Sequence, residues 1–209
     1  MFKRGFKAWC EQTAEATRRQ RGMQPWEPVR ARALAEDLKA TIVTPRDLLA
    51  LPSDVCQRLL SDHEDIWSAI TISTRPPLIV YNPAHSEGRQ NSDLMHEVAH
   101  VLMEHAPGTV YIDPKSRLAL RHFDADQEEQ ANWLSGCLLL PRAALLRIRQ
   151  LGWSNEMVCE KYSVSSKMLN YRMHTSGVNI QYARRRAQAL RRTGSNLFAR
   201  TPRPVHRRR

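Results

Sequence analysis

Ser92-Asp93-Leu94-Met95-His96-Glu97-Val98-Ala99-His100-Val101-Leu102-Met103-Glu104 is the stretch from which the rest of the chain can be ordered. Its apolar residues Leu94, Met95, Val98, Ala99, Val101 and Leu102 recur with a helical period. The stretch therefore reads as one helix, with Ser92 as its cap and Asp93 favourably placed against the dipole in its first turn. Residues four apart on a helix lie one above the other, so His96 and His100 present two imidazoles to one point in space. A zinc ion takes two of its ligands in that geometry. Glu97, at the edge of the same face, can reach a water at the ion without becoming a ligand. Zinc lowers the pKa of such a water to about 7, and the carboxylate takes its proton as the water attacks a carbonyl. The five-residue pattern also arises by chance, so it needs support from elsewhere in the chain.

That support is a third ligand, because a catalytic zinc site takes three protein ligands and keeps one position open. A helix at about 126–140 contains Glu128, Asn132, Ser135 and Gly136 at i, i+4, i+7 and i+8, a polar and small stripe. Small residues there would let this helix pack closely on the His96–His100 helix while Glu128 points at the metal. Glu129, about 100° further round, is the alternative ligand, and Asp126 and Asp124 are further ones. An acidic first turn favoured by the dipole is the competing reading of the same residues. His105 is expected to point away from the metal and to meet the last carbonyls of its own helix.

Outward from the motif, the chain punctuates itself with proline, glycine and serine. Residues 6–20 read as a helix with Phe6, Trp9, Cys10, Thr13 and Thr17 near one face. Pro25 and Pro28 precede a second helix around 29–39, and a β-rich Thr41–Thr44 follows. Pro45 starts a helical turn, and Ser53 caps a helix to about Ser61. Trp67–Ser73 and Leu78–Tyr81, either side of Thr74-Arg75-Pro76-Pro77, read as a β-hairpin whose edge could hold an extended substrate by main-chain pairing. Pro107-Gly108 is expected to end the motif helix, and Thr109–Ile112 reads as a strand. Pro141 divides the 126–140 helix from another that Gly152 closes. Ser154–Lys161 and Ser165–His174 make two short helices joined by a tight turn, with Gly177 as a stop. Many helices around a small sheet is an α+β, mainly helical fold. The expected division is a helical lead-in over 1–52, a metal-binding core over 53–150, a helix-turn-helix-like pair over 151–180 and a basic tail without fixed structure over 181–209.

Composition sets the class. With 42% hydrophobic and 25% charged residues the chain is an ordinary globular one. Runs such as Leu138-Leu139-Leu140 are far too short to cross a bilayer, so no membrane role is expected. The first residues carry charge but no apolar stretch, which is unlike a signal peptide. Four widely spaced cysteines read as reduced and buried, and the expected address is the cytoplasm. The net charge of +11 is lopsided: residues 161–209 hold 13 Lys and Arg and no acidic residue. The excess sits chiefly in Arg184-Arg185-Arg186, Arg191-Arg192 and Arg207-Arg208-Arg209, which can attract nucleic acid or acidic partners. The helical pair before this tail could enter a major groove, although Met168, Leu169, Tyr171 and Met173 give its second helix much apolar surface. If the pair shapes a substrate cleft instead, Tyr171, Arg172 and His174 are candidates to stabilise a tetrahedral oxyanion.

One set of residues carries a family resemblance. Ile79-Val80-Tyr81-Asn82-Pro83, Arg89 and Gln90, His96–His100, and Glu128-x-x-Ala131-Asn132 closing on Leu138-Leu139-Leu140-Pro141 together resemble the ImmA/IrrE metallopeptidases. The resemblance implies a zincin-like domain holding one zinc ion, with His96, His100 and Glu128 as ligands in the gluzincin manner and Glu97 as general base. It also implies a protein substrate, since several members cut helix-turn-helix transcriptional repressors and so derepress genes. Gln130 stands where many members have Glu, which argues for Glu128 as the ligand. Leu134-Ser135-Gly136 replaces a more typical Phe-Ala-Ala, a change of packing. The competing reading is a DNA- or repressor-binding regulator that acts through the helix-turn-helix-like segment and the basic tail, its metal site structural or vestigial.

Overall fold

Strands too short to stand alone are held here by the helices around them, and the computed structural model shows how. It describes residues 2–49, 51–62, 67–106, 110–112, 119–121 and 124–198. In chain order the elements are α1 (Phe6–Gln20), α2 (Ala31–Asp37), β1 (Thr41–Val43), α3 (Ser53–Gln57), β2 (Ala69–Thr74), β3 (Pro77–Tyr81) and α4 (Glu87–Leu102). These are followed by β4 (Val110–Ile112), β5 (Ala119–Arg121), α5 (Ala125–Leu139), α6 (Arg142–Leu151), α7 (Asn155–Tyr162), α8 (Ser166–Thr175) and α9 (Val178–Phe198). The fold is α+β and mainly helical, as the sequence indicates. Among the described residues no helix is long and apolar enough to cross a membrane.

β2 and β3 form the expected antiparallel hairpin, and β1 joins β3 in parallel, giving the order β1-β3-β2. β2 is therefore an edge strand. Its register slips between Thr71 and Ser73, a bulge that leaves Ile72 47% exposed. β4 pairs antiparallel with β5, a strand the sequence reading leaves as loop.

The motif helix starts more than a turn earlier than its apolar pattern predicts. α4 begins at Glu87 with Ser86 before it, and Ser92 is buried inside it rather than capping it. Residues 87–93 are polar and carry no helical stripe, so only tertiary contacts can reveal this turn. The Ser92 hydroxyl donates to the Gly88 carbonyl (2.8 Å) and accepts from the Ser165 amide (2.9 Å). Asn91 donates to the Ser163 carbonyl and accepts from the Ala31 amide, both at 2.8 Å, tying α2 and the α7–α8 turn to α4. A Cβ at Gly88 would lie 2.9 Å from the Val164 carbonyl oxygen, so glycine is what admits that turn.

α5 is the middle of the core, packed between α4 and α1. Ala131, Leu134, Cys137, Leu138 and Leu139 are buried on it, facing Leu94, Met95 and Val98 of α4 and Cys10 and Ala14 of α1. The buried face of α1 thus runs through Cys10, Ala14 and Arg18, while Trp9, expected inside, is 43% exposed. Two fully buried arginines close the C-terminal end of α5. Arg18 donates to the carbonyls of Leu138 (2.8 Å) and Glu27 (2.8 Å), and Arg172 donates to that of Leu140 (3.0 Å) and to Glu11 (2.6 Å). These cations stand at the negative end of the helix dipole, on carbonyls the helix itself cannot satisfy. Burial lowers the Arg18 pKa to about 10. Gly136 makes room for this: a Cβ there would lie 2.5 Å from Arg172 Cδ. Its smallness therefore serves contact with α8, not the expected contact with the motif helix.

Several helices end in a left-handed residue that is not glycine. Lys39, Glu104 and Ser163 have φ of 55°, 52° and 45°. The motif helix ends at Leu102, ahead of Pro107-Gly108, which lies outside the described residues. The C-terminal segment differs most from expectation. Residues 178–198 form one helix, so the basic stretch is not an irregular tail as far as Phe198.

Candidate metal centre

α4 and α5 cross so that three side chains converge. His96 Nε2 lies 3.1 Å from Glu128 Oε2 and 3.1 Å from His100 Nε2, and His100 Nε2 lies 3.6 Å from Glu128 Oε1. Among the described residues, His96, His100 and Glu128 form a group with ligand atoms within 4.8 Å of one another. A tetrahedral zinc ion with bonds of about 2.0–2.1 Å separates its ligand atoms by about 3.3–3.4 Å, so the three fit such an ion. His100 is buried, whereas the His96 and Glu128 side chains are 19% and 27% exposed, which leaves one side of the cluster open. Hydrogen bonds from His100 and His96 hold the Glu128 carboxyl far below the usual carboxylate range. The other acids of that turn are elsewhere: Asp124 caps α5 by accepting from the Asp126 and Gln127 amides, and Asp126 and Glu129 are exposed.

Glu97 is buried beside the cluster, against the edge strand. Its Oε2 accepts from the Thr71 main-chain N–H and from the Thr71 hydroxyl, each at 2.7 Å. No sequence spacing connects residues 71 and 97; the bulge in β2 does.

His105 lies where the sequence reading did not put it. The amide of His105 bonds the His100 carbonyl (3.0 Å) and that of Glu104 bonds the Val101 carbonyl (3.1 Å), closing α4 in a Schellman motif. That motif brings the side chains of its first and last residues together, and here both are histidines. His105 Nδ1 lies 3.0 Å from His100 Nδ1. Were a metal ion to take His100 Nε2, the proton of that ring would sit on Nδ1 and His105 would accept it, the outer contact that orients a metal-binding histidine. Gln130 hydrogen-bonds His105 in turn; burial, chiefly, lowers the His105 pKa.

A second polar group, also absent from the sequence reading, lies one turn before His96. Asp93 stands 3.6 Å from His85 Nδ1 and 3.7 Å from Arg89 Nε, and Arg89 donates to Ser68 (3.3 Å). Burial raises the Asp93 carboxyl pKa against the opposing pull of Ser68, Arg89, His85 and His96. Residues 89, 93 and 96 follow helical spacing within α4, and His85 joins them from just before its first turn.

The oxyanion candidates are not gathered at the cluster. Arg172 is fully buried and bonded to Leu140, about 18 Å along α5 from Glu128 at 1.5 Å per residue. Tyr171 packs on Trp133 with ring centroids 6.3 Å apart and beside Gly136, about two turns along α5 from Glu128, and burial pushes its hydroxyl pKa up to about 12. His174 is exposed at the end of α8. Arg184, Arg185 and Arg186 are exposed on α9, while the side chains of Arg191 and Arg192 lie outside the described residues. The α7–α8 pair has helix-turn-helix form, but its turn and the first amide of its second helix are docked on α4 through Ser163 and Ser165. That contact covers the end a recognition helix would insert into a groove.

The mainly helical α+β fold turns two histidines and a carboxylate onto one point, a donor set that fits a metal ion. The pattern of the peptidase family described by the IrrE N-terminal-like domain matches residues 58–174, over half of the chain, and the chain belongs to that family. Among curated proteins, none matches it.

Proposed function

We propose that this chain is a zinc-dependent endopeptidase with one ion held by His96, His100 and Glu128, and that it cuts a helix-turn-helix repressor and thereby derepresses genes. The observation that carries this reading is the convergence of three ligand atoms at 3.1–3.6 Å on a partly open face. When bound, zinc supplies the Lewis acid that polarises the scissile carbonyl and acidifies the attacking water. Glu97 accepts the proton of that water and passes it to the departing amine. Because Thr71 occupies Oε2, the other oxygen of Glu97 is left for this work. Holding the carboxylate at two points fixes its approach before substrate arrives. Beyond Thr71, whose N–H Glu97 takes, the outer edge of β2 supports an extended substrate by main-chain pairing, with the exposed Ile72 beside it. Repressors and their operators are cytoplasmic in such a scheme, and we place the reaction there.

Metal analysis and cleavage test the reading together. The purified chain should hold close to one zinc, Glu128→Ala should lose it, and Glu97→Gln should keep it while losing cleavage. For the substrate, a repressor encoded beside this chain should be cut at one position by the parent and left whole by Glu97→Gln. A zinc-free parent chain would overturn the peptidase reading, and an intact repressor would overturn the substrate reading alone.

A further inference from the structure

Part of the chain's excess positive charge, Arg184, Arg185 and Arg186, lies where the fold leaves it uncovered. Among the described side chains, α9 is anchored through its first turn: Val178 is buried, Asn179 accepts from Arg149 (2.8 Å), and Gln181 accepts from Arg142 (2.5 Å). From Ala183 to Gln188 every residue is exposed. The helix is therefore solvated on all sides there, and Arg184, Arg185 and Arg186 stand out about 100° apart around its axis. No acidic residue occurs from position 161 onward, and none occurs on α6, which packs beside α9 and carries Arg142, Arg147 and Arg149. Over residues 183–188 the helix therefore presents adjacent like charges with no acidic residue of its own to offset them.

We propose that α9 binds the phosphate backbone of duplex DNA, independently of sequence. Guanidinium groups fit phosphate oxygens as forks, and three of them pointing in different directions suit the curved wall of a groove better than a plane. Anionic lipid is the other large polyanion that could take such a helix, but surface insertion requires a continuous apolar face. Among the described side chains of α9, Ile180 is the one large apolar group exposed. Among the described residues, the α7–α8 turn is docked on α4 and the exposed arginine cluster lies on α9. This inference rests on the proposed function only for its purpose: a chain that cuts DNA-bound repressors would find them along the DNA.

The test is fluorescence anisotropy with a short duplex of arbitrary sequence, across about 50–200 mM salt, where each phosphate contact contributes about 0.9 to the slope of log affinity against log salt. The parent chain should bind, and the triple change Arg184→Gln, Arg185→Gln, Arg186→Gln should lower the slope by about 2–3 and the affinity at least tenfold. The same three positions changed to Lys should keep most of the slope, because the charge is retained. Equal binding by the Gln variant, no binding by the parent, or parent binding to phosphatidylglycerol vesicles but not DNA would each overturn the proposal. The readout is binding rather than cleavage, so failure here leaves the peptidase reading standing, and the zinc and Glu97→Gln tests bear on that reading alone.

Discussion

Glu97 and Thr71 are joined twice: one carboxylate oxygen accepts both the amide and the hydroxyl of the threonine, at 2.7 Å each. The proposed general base and the edge strand are thus joined directly. Thr71→Val keeps the amide contact and removes the hydroxyl. With the carboxylate less fixed, kcat should fall by roughly tenfold while KM changes little, and Thr71→Ser should restore most of it. An unchanged kcat in Thr71→Val would show that the amide alone positions the base.

His105 sets the orientation of His100 from behind. Removing its imidazole in His105→Ala leaves the inner nitrogen of His100 without its 3.0 Å partner. Zinc affinity should fall about 10–100-fold, as measured by competition with a chelator. Affinity equal to the parent would exclude His105 from the site.

Arg18, at the end of α5 opposite Glu128, matters for stability. Arg18→Met fills similar space but leaves the buried carbonyls of Leu138 and Glu27 without their donor. The expected loss is about 2–4 kcal/mol in urea unfolding, from about 1–3 kcal/mol for each buried acceptor left unsatisfied. A loss below about 0.5 kcal/mol would mean that water reaches those carbonyls.

Gly136→Ala puts a methyl 2.5 Å from Arg172 Cδ, on an arginine whose far end is fixed by Leu140 and Glu11. The steric cost should exceed the helix-propensity gain of about 1 kcal/mol, so the variant should be less stable than the parent by about 1–2 kcal/mol. A gain in melting temperature would mean that α8 moves away freely.

Asp93 ties stability to pH. Burial raises its pKa above 3.8, so the folded chain takes up this proton at higher pH than the unfolded chain does. The ionised carboxylate therefore costs stability above the folded pKa, and the cost is relieved as pH falls through that value towards 3.8. In Asp93→Asn this dependence is absent. The stability difference between variant and parent should shift in the parent's favour on going from neutral pH to about pH 4. A difference constant over that range would assign the pH dependence to other groups.

The parts of the fold that follow from local pattern were legible in the chain. The hairpin, α1, α5, α6 and the α7–α8 pair all lie where apolar period, proline and glycine put them. Helical spacing likewise puts residues 96 and 100 on one face, whereas the choice of Glu128 over Glu129 leans on the family resemblance, because which acid of that turn meets the histidines depends on how α4 and α5 cross. What escaped depends on distant partners. The first turn of α4 is polar and is held by Ser165 and Ser163, more than seventy residues away. Helix ends at Lys39, Glu104 and Ser163 bear no glycine to mark them, which hid the turn that brings His105 back to His100. Arg172 looked like a polar group available for chemistry because its partners, Glu11 and Leu140, come together only in the folded core.

The two arginines on the end of α5 carry a lesson about where this molecule can be cut. The family pattern spans 58–174, yet Arg18 and Glu11 lie outside it and reach the C-terminal end of the helix whose other end bears Glu128. A fragment trimmed to the recognisable region would keep every proposed ligand and lose part of the anchorage that sets one of them in place. The inherited signature and the mechanical unit have different borders, and the wider one begins in the first helix.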